Sequence, residues 1–373
     1  MPAIMRKRKS ERNTMGYIAY FSRPFMMAIA LWPFLSAALT VPVLALLYHR
    51  YNRIRFAQTL VAYGTVLYAI GLLCFTLYPM PEDAIAYCAA HHLTPQLNPL
   101  QFVGDIRTDG LSAIMQLALN VIFFLPLGFI IGRVFRWPLA AALPVAFATS
   151  LLIETLQLSG FLGLYPCSYR LFDVDDLITN TLGAVLGYGA AKLFDRLVPP
   201  RTYSLTTVTR PGFLRRCITY VIDMTAVTVV AMPTAMLITI AFDSTVVRDT
   251  ATWQAIPAVG HMFGHDVTIN DVTMLISLLV FELLVPLLHG GRTLGGGFTH
   301  MTCETRQRSG WRRALFYAAR TAVFVIVVFA RLIPLAGIFT FALLIFYTVK
   351  KQMPYDLLPA DNEPPVADAP IRA

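Results

Sequence analysis

Apolar runs of about twenty residues, separated by short polar stretches, follow one another along most of the chain. They lie near 25–48, 58–78, 113–132, 137–158, 175–194, 216–241 and 271–289. Each is long enough for a helix rising ~1.5 Å per residue to cross a hydrocarbon core of ~30 Å. A last apolar stretch, 314–349, is too long for one span, because as a single helix it would run about 54 Å. Arg331 and Pro334 near its middle predict a hairpin of two short helices, or an interfacial helix followed by one span. A helix satisfies its own backbone polar groups in lipid, so the pattern predicts an all-α integral membrane protein, a polytopic helical bundle with about eight or nine membrane segments.

Composition agrees with the pattern. With 57% hydrophobic and 14% charged residues, and a mean hydropathy of +0.62, the apolar mass exceeds what one water-soluble core hides. Lysine and arginine collect in alternate loops: Arg50, Arg53 and Arg55; Arg133 and Arg136; Lys192 to Arg216; and Arg292 to Arg313. The intervening loops 79–112, 159–174 and 242–270 hold only Arg107, Arg170 and Arg248. The positive-inside rule then makes the basic loops cytoplasmic in a bacterial plasma membrane. The net charge of +9 follows from this topology and from anionic lipid, with no call on nucleic acid. The basic stretch "MRKRKSERN" disagrees; either later loops override it or translation starts at Met15. The first apolar run has no small-residue cleavage site and continues as a span.

Five domains of sequence are expected: a tail, 1–24; a membrane domain of five spans, 25–198; a linker, 199–212; a second membrane domain of three or four segments, 213–350; and a disordered tail, 351–373. The linker is marked by Pro, Gly, Ser and Thr, and the last tail by Pro, Asp and Glu. The glycine-rich "GGRTLGGGF" from Gly290 reads as a turn, since no strand precedes it and no phosphate-loop lysine follows.

Polar residues in the apolar runs carry the functional signal. Asp173, Asp176, Asn180, Gly183 and Gly187 recur every three or four residues and line one helix face. Ser150, Glu154 and Gln157 do so in the run before, and Gln116 and Asn120 in an earlier one, with Arg170 in the loop between. A carboxylate at mid-helix in lipid costs about 2.5–3.5 kcal/mol, so something must offset it. Two readings stand: the groups glue helices together, or they form an outward-facing ligand-binding cleft of Asn120, Glu154, Gln157, Arg170, Asp173, Asp176 and Asn180 for a polar headgroup. Taken singly each residue fits the first; taken together they favour the second.

In the second membrane domain Arg216, Thr219 and Asp223 share a face, and the plain reading is an Arg216 to Asp223 link. Cys88 and Cys167 both fall in outer loops, where a disulfide can persist, although free thiols are favoured because pairing geometry is not legible in sequence. His261 and His265, four apart with Asp266, have a spacing compatible with a metal on a helix but lack a third ligand, and the Asp173 to Asp176 cluster is a weak divalent-cation candidate. No metal, cofactor or catalytic triad is assigned, and enzymatic activity is left open.

The segments "NVIFFLPLGFIIG" (Asn120 to Gly132), "IETLQL" (Ile153 to Leu158), and Arg170 with "DVDDLITNTLGAVLGY" (Asp173 to Tyr188) resemble the VanZ-like family. That resemblance covers about 25–196 and implies a role at the cell envelope, in a family associated with reduced susceptibility to glycopeptide antibiotics. "GFLRRCITYVID", "GGRTLGGGF" and "WRRALFYAAR" resemble the RDD family over about 208–350, with Thr219 in place of alanine and Gly296 where a lysine is common. The resemblance implies an RDD-type polar pair, Arg216 and Asp223. The expected function is envelope maintenance or resistance to glycopeptide-type antibiotics, with membrane lipids or lipid-linked envelope precursors as partners, no nucleic acid, and homo-oligomerisation open. The alternatives are a cation/proton or small-solute transporter using Asp223 and Glu154, and a membrane enzyme acting on a lipid headgroup with Glu154 or Asp176 as base.

The arginine distribution makes a testable statement. In a background without native cysteines, a single cysteine at Ser168 should react with an impermeant thiol reagent in intact cells and one at Thr207 should not; the reverse pattern overturns the orientation.

Overall fold

A computed structural model describes residues 22–200, 205–242 and 258–361. In chain order the helices are α1 (Ser22–Ala38), α2 (Thr40–Tyr51), α3 (Phe56–Leu77), α4 (Ala84–Ala90), α5 (Gln101–Asp109), α6 (Leu111–Phe129, running on through a π-helical turn Ile130–Phe135), α7 (Leu139–Leu158) and α8 (Val174–Leu197). After these come α9 (Phe213–Phe242), the hairpin β1 (Ala258–Met262) and β2 (His265–Thr268), α10 (Ile269–Leu288), α11 (Leu294–Phe298), α12 (Gly310–Val328) and α13 (Ala336–Lys350). The architecture is that of an all-α, multi-pass membrane protein. Large apolar side chains such as Phe34, Leu60, Val229, Met236 and Ile338 point outward, as lipid-facing residues do.

Among the described residues five helices are long and apolar enough to cross a membrane: α3, α6 with its π turn, α7, most of α9, and α10; the bent pair α1 and α2 makes a sixth if it is one span. This is fewer than the eight or nine segments expected. α8 is long enough at 24 residues but carries Asp175, Asp176, Lys192, Asp195 and Arg196. The 314–349 stretch breaks where Arg331 and Pro334 stand: α12 ends at Val328, and α13 resumes at Ala336 with only 15 residues.

The chain divides into two compact units, Met1–Leu39 with Leu60–Thr202, and Thr40–Thr59 with Tyr203–Ala373. Residues 40–59 thus go with the second unit, outside the expected 25–198 block. The expected linker is also less of a spacer than its composition suggests. Thr207 and Thr209 are buried, and Val208 pairs with Met301 in a parallel bridge. The start of the supposedly disordered tail is ordered as well: Tyr355 and Asp356 are buried in a 3-10 turn, Pro354–Leu357, and Asp356 pairs with Arg216. Low hydropathy misled there because the acids have arginine partners. Residues 362–373 of that expected tail lie outside the described residues. His261 and His265 are on the two strands of the β1/β2 hairpin and not on a helix; the intervening Gly264, at φ +82°, makes the turn, and His261 contacts Asp266 at 2.5 Å.

The first unit is built on α6 against α8. Their backbones approach so closely that an added Cβ would stand 2.3 Å from the Val121 oxygen at Gly183 and 1.9 Å from the Leu125 oxygen at Gly187. This is the small-xxx-small seam that drives helix pairing where lipid removes the hydrophobic incentive. Around it Leu72, Leu77, Phe124, Ala146, Ile153 and Ala184 form a buried core shared by α3, α6, α7 and α8. At the far end Arg133 pairs with Asp195 and lies over Phe194. The second unit packs α9 beside α10, with Phe316, Tyr317, Tyr355 and Cys303 in one buried cluster.

The seam predicts a contrast between two glycines two residues apart, on different sides of α8. Gly187→Ala should lower thermal stability of the purified protein by about 1–3 kcal/mol through overpacking, whereas Gly189→Ala, with nothing within 4 Å of its added carbon, should not; equal effects would contradict the close approach.

Candidate functional site

α8 begins where the chain needs a cap. Asp173 sits at the N-cap with its side chain accepting from the Asp175 amide at 2.8 Å, which satisfies one of the donors a helix start leaves open. The same carboxylate accepts from Gln96 Nε2 at 3.1 Å, and the Gln96 backbone runs parallel to the segment, donating to Phe172 O and accepting from Val174 N. The backbone amide of Asp173 donates to Glu154 Oε2 at 3.1 Å. Glu154 projects from the end of α7 and is only 2% exposed, so this carboxylate and the α8 cap form one connected network. Burial pushes the Asp173 carboxyl above its usual range, with the neighbouring Asp175 and Asp105 charges adding to the effect.

A second tier lies deeper. Asn120 on α6 donates to Asp176 Oδ1 at 2.5 Å, Asn180 on α8 donates to Ser150 Oγ on α7 at 3.0 Å, and Gln157 donates to the Thr76 carbonyl of α3 at 2.8 Å. The charge of Arg170, in the loop before α8, acts on both Glu154 and Asp176. The structure therefore gathers Asn120, Glu154, Gln157, Asp173, Asp176 and Asn180 at one end of the first unit, with Arg170 beside them. It also divides them: Asn180 with Ser150, Gln157 with Thr76 and Asn120 with Asp176 are ties between helices, while Glu154 and Asp173 are linked through the Asp173 amide at the loop end, near Asp176.

The loop is braced from outside. Cys88 on α4 and Cys167 are joined in a disulfide with Cα atoms 5.8 Å apart. Tyr87 donates to the Tyr169 carbonyl, Tyr165 to the Pro81 carbonyl and Tyr169 to the Leu77 carbonyl. One member, Gln96, was not singled out in the sequence, and Asp175 entered only within the Asp173 to Asp176 cluster. Asp175 is 4% exposed and accepts from the Phe102 amide at 2.8 Å; an acid in the first turn of a helix was a readable signal. Gln96 carried no signal, because its role depends on a loop folding back from 77 residues away.

The second unit corrects one pairing. Arg216 and Asp223 share a helix but not a bond: Arg216 pairs with Asp356 at 3.0 Å, while Asp223 accepts from Thr293 Oγ1 and the Gly295 amide, each at 2.6 Å. Two helical turns separate them, and each finds a nearer partner on another segment. Gly295 is required there, since a Cβ would stand 2.5 Å from the Thr219 oxygen and 3.1 Å from the Asp223 carboxylate. A buried ion pair, Glu282 with Arg320, was also missed, although a lone acid inside an apolar span is a signal in itself. Among the described residues no group of three or more His, Cys, Asp or Glu side chains is placed to hold a metal.

Residues 65–195 match the VanZ/LLP1 family model. The matched segment holds every residue of the carboxylate network, and both disulfide cysteines, and stops short of the second unit. No curated protein and no solved structure matches the chain.

The disulfide can be read directly. A non-reducing digest should yield a peptide linking Cys88 to Cys167, and reduction should lower stability by roughly 4 kcal/mol on the chain-entropy account of an ~80-residue loop; alkylation of both thiols without prior reduction would contradict the bridge.

Proposed function

We propose that the first unit presents an outward-facing polar site at the loop end of α6, α7 and α8, and that it takes the polar headgroup of a membrane lipid or a lipid-linked envelope precursor. The protein then acts in cell-envelope maintenance or in resistance to glycopeptide-type antibiotics, in the plasma membrane of a bacterium with its basic loops cytoplasmic. The observation that carries this reading is the convergence of Glu154, Asp173 and Asp176 beneath the Arg170 loop, within the segment that matches VanZ/LLP1. Helix gluing accounts for Asn180 and Gln157, which end on other helices. Capping accounts for Asp173 and the Asn120 tie for Asp176, but neither calls for a third buried acid, Glu154, beside them, since each must be withdrawn from water. A cluster of carboxyl groups with one neighbouring arginine suits a headgroup that offers both hydrogen-bond donors and an acceptor, such as an amino sugar or peptide amine beside a phosphate.

In the same reading the second unit is RDD-like. The glycine-rich segment on which that resemblance partly rests is the one whose Gly295 amide binds Asp223.

The test is genetic. In a deletion strain, Glu154→Gln and Arg170→Ala should fail to restore wild-type tolerance of glycopeptide antibiotics while reaching the membrane in normal amount; restoration by both variants overturns the site, and loss of the folded protein in both returns these residues to a structural role.

A further inference from the structure

The second unit holds a partly open cavity of about 240 Å³, lined by none of the residues of the carboxylate network. At roughly 30 Å³ per water it has room on the order of eight waters, enough for a small organic molecule. Most of its wall is apolar and aromatic, including Phe213, Tyr220, Phe324 and Tyr347. Tyr220 stacks on Phe324 with ring centroids 5.6 Å apart, and Phe213 lies against Tyr347 at 5.2 Å. Four charged side chains also reach the wall: Arg216, Asp223, Glu282 and Arg320.

These charges do not balance. Arg216 is matched by Asp356. Arg320 pairs with Glu282 through Oε2 and also donates to the Glu282 carbonyl, so its fork is committed to one residue. Among the described residues Asp223 accepts from neutral donors, Thr293 and the Gly295 amide. The Asp223 carboxyl is left without a salt-bridge partner among the described residues, in a wall made mostly of apolar and aromatic side chains. Separately, Glu282 is 1% exposed, and among the described residues its Oε1 has no hydrogen-bond partner even though Oε2 holds Arg320. An orphaned oxygen on a buried carboxylate is costly, and proteins retain such groups where something else completes them. Glu282 also sits in a π-helical turn, Val280–Leu284, a local widening common at functional sites.

We infer that this cavity binds a hydrophobic organic monocation, an ammonium on a small apolar body, with the ammonium against Glu282 Oε1 and the body among the aromatic side chains. The chemistry agrees at each part of the wall. An ammonium supplies the missing charge, and aromatic faces attract it through their quadrupoles. The protein already makes that contact internally, with the Arg320 guanidinium 4.6 Å from the Phe324 ring centre. An inorganic cation fits less well, because beyond the two acids the wall offers few oxygens to replace a hydration shell.

The test uses the full chain in lipid nanodiscs, with empty discs as the reference. Benzylammonium, whose N–H groups can donate to Glu282 Oε1, is the probe and ethylbenzene its neutral isostere, so that shape is held and charge removed. The ammonium should bind with at least about tenfold preference, and Glu282→Gln should reduce its affinity by about tenfold while leaving the isostere unchanged. Absence of ammonium binding, equal binding of the two compounds, or full binding by a folded Glu282→Gln variant overturns the proposal. Should that variant fail to fold, the comparison of the two compounds on the unaltered chain still decides it.

Discussion

A polar group taken out of water and placed among lipid tails must find its partners inside the protein, and that demand organises both units. Glu154 shows how it is met. Its carboxylate, buried at the end of α7, accepts the amide of Asp173, and that residue's own side chain caps α8 and holds Gln96. One buried acid thereby fixes where α8 starts, how the preceding loop lies and where the 96–98 segment returns. Breaking a link in such a chain leaves a donor or acceptor unsatisfied, at about 1–3 kcal/mol each, and this gives the network its rigidity.

The same demand sets the helix packing. Amide and hydroxyl side chains can bond across a helix pair only when the backbones are close, and Gly183 and Gly187 bring α8 against α6 closely enough for Asn120 to reach Asp176. The seam and the polar ladder are thus parts of one arrangement: glycine gives proximity, and the polar groups exploit it. In the second unit Gly295 has the corresponding place, admitting the carboxylate of Asp223 to the start of a short helix where a side chain would exclude it.

Sequence periodicity made the membrane helices legible, because 3.6-residue spacing and run length are local properties. It also placed Asn120, Glu154, Asp173, Asp176 and Asn180 on common faces, which the structure brings together at one end of the first unit. What it could not convey was long-range partner choice. Arg216 and Asp223 looked like a pair along one helix, yet Asp356, 140 residues on, takes the arginine. The same partnership explains why an acidic, proline-rich tail segment is ordered where composition predicted disorder. The count of eight or nine spans is not confirmed for a related reason: charges at both ends of α8 and the break between α12 and α13 keep these segments out of the set of long apolar helices.

The central claim is that Glu154 organises the loop end of the first unit, and amide hydrogen exchange at single-residue resolution tests it most directly. In the unaltered protein the amides of Asp173, Val174 and Gln96 should be protected, since each donates within the network. In Glu154→Ala the account predicts loss of protection at Asp173 first, spreading to Val174 and Gln96, with the α6 and α8 seam unaffected. Unchanged protection at Asp173 in that variant would contradict it.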